Sequence, residues 1–382
     1  MTYPGRLLPS ALVLGALCLN LPVGQAADTP ALAKPASDLT IYGDLRLRYE
    51  WDWDSQNGSG VARTDRDRAR FRGRVGFGYK LSSEWSVGAR ARTGTHQSQG
   101  SPHLTFYSSD GTHDNPAVEL DRYFVQYKHD TFTAWGGRNG LPFWQQNEMF
   151  WDDDVTPTGL AGIMEKKLEQ GSLTTTVGAF LLPDGVNHLN GSMAGGQFKY
   201  SVPVKPSQFT FAAGLYGFNG KDGARYLRNR NGARDYVIGA LSAQWTQPVD
   251  GRLFSLGVDF FNNFEHYSAT DAAPLSAVNA GQTTGYVFSA VLGQLKQPHD
   301  WQVGYYYAHI GTFAVNASYS QDDWARFGGN GQSDITDITG HELRGTYVIT
   351  KSLNLAARLF LVDAITTVQN GKRFRLDLNW KY

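Results

Sequence analysis

The residues of this 382-residue chain that could do chemistry form one cationic group and one acidic group. The cationic group is periodic: Arg68, Arg70, Arg72 and Arg74 take every second position, as do Arg46 and Arg48 before them and Arg90 and Arg92 after. Guanidinium groups so placed would attract or bind anions, because each is a permanent charge with five donors in a fixed fork. The acidic group is compact: Glu148, Asp152, Asp153 and Asp154 lie in a run that also holds Phe143, Trp144, Phe150 and Trp151. Clustered carboxylates can pair with arginine, hold a hard cation such as calcium, or act as an acid/base pair. The sequence supplies no further calcium ligands and no general acid. Pairing with arginine is therefore the expected role, and no catalytic residue, metal or cofactor is assigned. The histidines show no His-x-x-x-His spacing, and His341-Glu342 stands without a nucleophile.

The elements that must carry these residues follow from their spacing. Side chains alternate faces along a strand, so Arg68 to Lys80 reads as a strand with one cationic and one apolar face. Ile41 to Asp52 alternates in the same way, with Ile41, Leu45, Leu47, Tyr49 and Trp51 on one side and charges on most of the other. Trp85 to Thr93 puts Trp85, Val87, Ala89 and Ala91 opposite Arg90 and Arg92. The pattern continues to the last strand, where Phe374, Leu376, Leu378, Trp380 and Tyr382 alternate with Arg375, Asp377, Asn379 and Lys381.

Connections are alternately short and long. Tight turns are predicted near Lys128–Asp130, Glu169–Gly171, Pro203–Ser207, Pro248–Gly251, Lys296–His299 and Thr350–Ser352. Longer loops are predicted near Thr95–Pro116, Asn139–Thr158, Pro183–Met193, Asn219–Arg234, Asn263–Thr284, Gly311–Ile338 and Ala364–Gly371. About sixteen strands of roughly ten residues, with short turns on one rim and long loops on the other, describe an all-β transmembrane antiparallel β-barrel. Its short turns would be periplasmic and its long loops extracellular. Trp85, Phe132, Trp245, Trp301, Trp380 and Tyr382 fall near the short-turn ends, where an interfacial aromatic girdle belongs.

Composition agrees. Lys+Arg 35 balance Asp+Glu 35, which excludes the basic excess of a nucleic-acid binder. Residues 1–26 read as a secretory signal peptide: Arg6, an apolar run from Leu7 to Leu21, then small residues before Ala26. Residues 27–38 form a short periplasmic lead-in, and 39–382 a single barrel domain. Cys18, the one cysteine, lies inside the signal, so the mature chain is expected to hold no disulfide. No later apolar run is long enough for a helical span, and a mean hydropathy of -0.37 is compatible with strands that are only half apolar.

Energies orient the arginines. One arginine facing lipid at mid-membrane costs ~2–4 kcal/mol, so eight would cost on the order of 10–30 kcal/mol. A whole domain is stable by only ~5–15 kcal/mol. The eight must face the lumen, and as neighbours on three successive strands they should form one cationic sector. The acidic, aromatic segment 139–159 is expected to fold inward as a constriction loop, presenting Glu148 and Asp152 to Asp154 toward that sector.

The run Leu-Pro-Phe-Trp followed by Phe-Trp-Asp-Asp-Asp-Val-Thr-Pro-Thr-Gly, at 141–144 and 150–159, resembles a motif of a putative-porin family of Gram-negative outer membranes. The arginine-rich first strands are similar to that family and, more loosely, to alginate-export barrels. The resemblance implies a diffusion pore in the outer membrane, with acidic loop residues opposite a basic wall. Partners would be outer-membrane lipid, small hydrophilic and preferentially anionic solutes, and a second and third copy in a homotrimer. The closing strand ending at Tyr382 resembles the signal read by the barrel assembly machinery. A saccharide or polysaccharide channel is the alternative, with loop aromatics stacking on sugar rings and arginines meeting uronate carboxylates. An outer-membrane phospholipase or protease has the least support.

Overall fold

A computed structural model describes residues 38–97, 100–221, 223, 226–271, 276–324 and 336–382. The expected signal peptide and most of the lead-in lie outside the described residues. Among these residues there are seventeen strands and one short 3-10 turn, η1 (Arg230–Ala233). The strands are β1 (Leu39–Gln56), β2 (Arg66–Lys80), β3 (Trp85–Gly94), β4 (Leu104–Ser108), β5 (Ala117–His129), β6 (Phe132–Arg138), β7 (Thr158–Lys167), β8 (Ser172–Pro183) and β9 (Leu189–Val204). There follow β10 (Ser207–Asn219), β11 (Tyr236–Val249), β12 (Arg252–Asn263), β13 (Thr284–Gly293), β14 (Trp301–Ile310), β15 (Ile338–Thr350), β16 (Leu353–Ala364) and β17 (Asn370–Lys381). None of the described helical residues forms a segment long and apolar enough to cross a membrane.

Sixteen of the strands form a closed antiparallel barrel. Each pairs with its neighbour in sequence, and β1 closes the wall by pairing with β17 from Asp44↔Lys381 to Gln56↔Asn370. The seventeenth, β4, belongs to the loop between β3 and β5. It pairs with the far half of β2, Arg68 to Phe71, beyond the point where β3 leaves it.

Closure explains the burial pattern. Along β1, Leu45, Leu47, Tyr49 and Trp51 are exposed while Arg46, Arg48, Glu50 and Asp52 are buried. The same inversion runs along β14 and β17, where Val303, Tyr305, Leu376, Leu378 and Trp380 are outside. Apolar residues outside and charges inside suit a barrel whose outer solvent is lipid. Trp85, Phe132, Trp380 and Tyr382 are all exposed at the short-turn rim, and Arg252 covers the ring of Trp301 there.

Short connections at 130–131, 168–171, 205–206, 250–251 and 351–352, where the sequence predicts tight turns, and one at 81–84 alternate with longer ones. One long loop is shorter than predicted. Pro183–Met193 reads as loop because Asn190, Gly191 and Ser192 break the alternation, yet β9 already begins at Leu189. Ladder pairing holds Ser192 opposite both Leu181 and Asn219, and a register shift between there and Pro183↔Leu189 takes up Asn190 and Gly191, the latter at φ +82°.

Candidate functional site

The register of β1 decides the chemistry of the inner wall. Its inward residues run Asp44, Arg46, Arg48, Glu50, Asp52, and those of β17 run Asn379, Asp377, Arg375, Arg373 in the opposite direction. Arg48 thus meets Asp377, Glu50 meets Arg375 and Asp52 meets Arg373 across the strand pair. Arg48 Nε donates to Asp377 Oδ1 at 2.7 Å, Arg375 Nε to Glu50 Oε2 at 2.5 Å, and Arg373 Nε to Asp52 Oδ1 at 2.6 Å. On the other side, Arg66 donates to Asp52 at 2.9 Å, Arg68 pairs with Glu50, and Arg72 and Arg74 share Asp44 at 2.7 Å each. Arg90 forks onto Asp121 of β5 at 2.5 and 3.0 Å. Arg92 reaches Asp121 at 3.8 Å and the Gly100 carbonyl at 2.7 Å.

All eight arginines predicted for the lumen turn inward, but the wall differs from the expected cationic sector. Acids stand between them, and all eight are largely buried. Buried charges are tolerated when paired and hydrogen-bonded, which is what these strands provide. The sequence signal was available: Asp44, Glu50 and Asp52 share the alternation with Arg46 and Arg48, and Arg375 and Asp377 alternate on the closing strand.

The segment 139–157 between β6 and β7 touches both sides of this interior. Gly137 (φ +122°) and Gly159, paired across β6 and β7, sit at its base. A Cβ at either would come within 2.3 or 2.1 Å of a neighbouring carbonyl, so the strands can enter and leave the loop there only with glycine. Asp154 accepts from Arg74 Nη1 at 2.8 Å and lies 3.7 Å from Arg72. On the far side the backbone of Trp144 exchanges hydrogen bonds of 2.8 and 2.9 Å with the Gln197 amide on β9. Gln146 and Asn147 donate to Asp259 of β12 at 3.0 and 2.6 Å. The four predicted loop aromatics are buried: Phe143 and Phe150 meet Tyr216 of β10 at 4.9 and 4.6 Å, and Phe150 stacks on Phe261 at 6.0 Å.

A second inward loop, within the long loop predicted at Gly311–Ile338, was not anticipated. Residues 311–324, after β14, carry Phe313, Val315, Ser318 and Tyr319 at 0–1% exposure. Tyr319 stacks on Trp151 at 5.3 Å, and its carbonyl accepts from the Asp152 amide at 2.8 Å. Arg228, from the loop after β10, locks the two together. Its Nε donates to the Ser318 carbonyl at 3.0 Å, its Nη2 to the Ser320 carbonyl at 2.6 Å, and its Nη1 to Asp152 Oδ2 at 3.1 Å. Asp323 then pairs with Arg358 at 2.6 Å and with Arg375, and lies 3.8 Å from Arg48. Small and polar residues dominate this stretch, so its burial left no apolar periodicity to read.

Of the predicted acidic set, Asp154 pairs with the predicted Arg74 and Arg72. Asp152 is committed to Arg228, and ligand oxygens of Glu148, Asp152 and Asp153 lie within 4.8 Å of one another. This crowding has electrostatic consequences. Burial, reinforced by the carboxylates of Asp153 and Asp323, pushes Glu148 up to about 7. Burial and the neighbouring Asp322 carry Asp152 well above the carboxylate range, against the pull of Arg228. For Asp154, burial pushes upward but Arg72 and Arg74 outweigh it and hold the carboxyl below its ordinary value. One loop therefore holds acids displaced in opposite directions. The trio of Glu148, Asp152 and Asp153 is the described group with metal-ligand proximity, but an Asp152 already bonded to Arg228 and to the Asp154 amide has little left to offer a cation.

Comparison with known proteins agrees with the barrel. The family model described as "Putative porin" matches residues 58–248, half of the chain. Among curated sequences none matches. Solved structures with the same fold include OprB of Pseudomonas putida, at 12% identity and a TM-score of 0.56 over 90% of this chain and 94% of that one. OmpF of Salmonella typhi, solved with daunomycin, aligns at 13% identity and a TM-score of 0.53, covering 91% and 98%. A BenF-like porin from Pseudomonas fluorescens aligns at 13% identity and a TM-score of 0.50, covering 90% and 98%.

Proposed function

The chain belongs to the "Putative porin" family and forms a channel in the Gram-negative outer membrane, and from that premise we propose a diffusion pore for small hydrophilic solutes with a modest preference for anions. The segment 139–157 is its constriction. The observation that carries this reading is the span of that loop, from Arg72 and Arg74 on β2 to Gln197, Tyr216 and Asp259 on β9, β10 and β12. A segment tied to both sides narrows any path between them and sets the charge beside it.

The anion preference rests on an imbalance. The inward arginines of β1, β2 and β3 outnumber Asp44, Glu50 and Asp52, the acids of the same strands that face the same way. Pairing reduces the field, so the bias is small. One uncompensated charge at ~10 Å in water is worth about 0.4 kcal/mol, weakened further by screening over ~8 Å. Selectivity without tight binding suits conduction, which requires solutes to leave easily. Lipid covers the outer wall. The saccharide alternative keeps its arginines but loses its stacking platform: Phe143, Trp144, Phe150 and Trp151 are 1–6% exposed, leaving little ring surface for sugars.

Reversal potentials in planar bilayers across a salt gradient test this reading. A chloride-over-potassium ratio of about 2–5 is expected. A cation preference that stays unchanged in an Arg74→Gln, Arg92→Gln double variant would refute it.

A further inference from the structure

The β1–β2 register creates a second feature that pairing does not resolve. It sets Arg46 directly opposite Arg72 and Arg48 directly opposite Arg70, four guanidinium groups in one patch of inner wall. Like charges directly opposite are destabilising in a sheet. Two of the four are relieved: Arg48 by Asp377, and Arg72 by Asp44. Arg46 and Arg70 are not. Arg46 is fully buried, and its one hydrogen bond runs from Nε to the neutral amide oxygen of Asn379 at 2.6 Å. Its Nη1 and Nη2 have no hydrogen-bond partner, and the nearest carboxylate oxygen, on Asp377, stands 3.9 Å away. Arg70, 9% exposed, has only long contacts to the Ser101 hydroxyl at 3.3 Å and the His103 carbonyl at 3.4 Å, and its Nε is unpartnered.

His103 covers the patch from the loop between β3 and β5. It is 6% exposed, its Nδ1 faces Ser101 Oγ at 3.2 Å, and its Nε2 has no partner. Burial, and then the charges of Arg48, Arg70, Arg46 and Arg72, keep the imidazole neutral. An anion nearby would select the tautomer with its proton on Nε2. Buried donors without acceptors are costly and uncommon, and here several belong to neighbouring groups of one sign.

We propose that Arg46, Arg70 and His103 form a binding site for a small oxyanion, in the first instance a carboxylate whose two oxygens engage the two Nη groups of Arg46. The fork of a guanidinium matches a carboxylate in this bidentate mode. Asp377 and Asp154, the acids nearest Arg46, are held by Arg48 and by Arg74, and Asp322 and Asp114, the acids nearest Arg70, by Arg228 and by the Thr105 amide, so the patch retains charge for a solute. The site rests on the solute-admitting lumen proposed above and adds a discrete stop along it.

Calorimetric titration of the folded full chain in detergent, with sodium acetate, phosphate or chloride at constant ionic strength, tests the site. Acetate should bind saturably and more tightly than chloride. Arg46→Gln should weaken acetate binding by about tenfold or more and His103→Ala by about threefold to tenfold. Migration on gels before and after boiling checks that each variant is folded; if Arg46→Gln is not, His103→Ala decides. No saturable acetate binding, or affinity unchanged in the folded variants, overturns the site. Phosphate binding more tightly than acetate overturns the carboxylate assignment. Bilayer recordings on the same preparations separate the two readings. Channel steps without acetate binding overturn the site alone, whereas acetate binding without steps upholds the site and refutes the channel.

Discussion

The wall formed by β1, β2 and β17 and the wall formed by β9 to β12 obey the same outward rule and opposite inward ones. Outside, both show lipid a row of apolar residues, such as Leu45, Leu47 and Tyr49 on β1 and Phe211 and Leu215 on β10. Inside, the first is an ionic lattice and the second is aromatic and amide, with Tyr216, Phe218 and Phe261 beside Gln197 and Asp259. A barrel needs only the outward rule in order to fold in a membrane. The inward rows are therefore available for function, and the loop 139–157 joins them by an acid at one end and aromatic rings at the other.

Breaking the ionic side should cost most. Asp323 is shared by Arg358, Arg375 and Arg48, which hold its carboxyl well below the usual range despite burial. Asp323→Asn leaves these buried arginines short of a counter-charge, with an expected loss of about 3–5 kcal/mol. It would appear as a lower midpoint in urea and a lower temperature for loss of the compact gel form. On the aromatic side, Phe150→Ala should cost about 3 kcal/mol through the cavity left between Tyr216 and Phe261, and should free the loop so that single-channel conductance rises.

The two ends of the loop region should also respond to pH with opposite sign. Glu148 is raised from 4.5 to about 7, so the native state holds its proton more tightly than the unfolded chain. Its environment therefore weakens the loop's seat as pH rises from about 4.5 to 7, and not below that window. Asp154 is lowered, so its contribution is complete above the unfolded value and fades as pH falls through the acid range. Hydrogen exchange over 139–157 should show greatest protection in mildly acidic buffer. Glu148→Gln should remove the loss toward pH 8, an effect on the order of 1–3 kcal/mol, while leaving the acid limb unchanged. The smallest effect belongs to the rim: Lys372 and Asp54 pair while 43% and 67% exposed, and Lys372→Gln should change stability by less than about 1 kcal/mol, measured in the same urea series.

How legible these features were depended on whether their signal was periodic. Alternation from Ile41 to Asp52 and from Phe374 to Tyr382 marked the outer face and the closed barrel, because lipid demands an apolar residue at every second position. The same alternation marked Arg46 and Arg72 as inward. The acids were harder to weigh, since Asp377 becomes the partner of Arg48 only once β17 is placed against β1. Phe143, Trp144, Phe150 and Trp151 announced the first loop, being too aromatic to stay solvated. The second, from Thr312 to Asp323, is built largely of Ala, Asn, Ser, Gln and Asp. It is buried by hydrogen bonds from Arg228 and by contact with Trp151, which leave no pattern in its own sequence.

The central claim, a channel narrowed by a loop seated on two unlike walls, is tested most directly by single-channel recording. Wild-type protein should give discrete steps with a small anion-favouring reversal potential, and an Asp154→Asn, Phe150→Ala double variant, loosened at both ends of the loop, should give steps several-fold larger. Folded, heat-modifiable protein that gives no steps, or steps unchanged in the folded double variant, would contradict it.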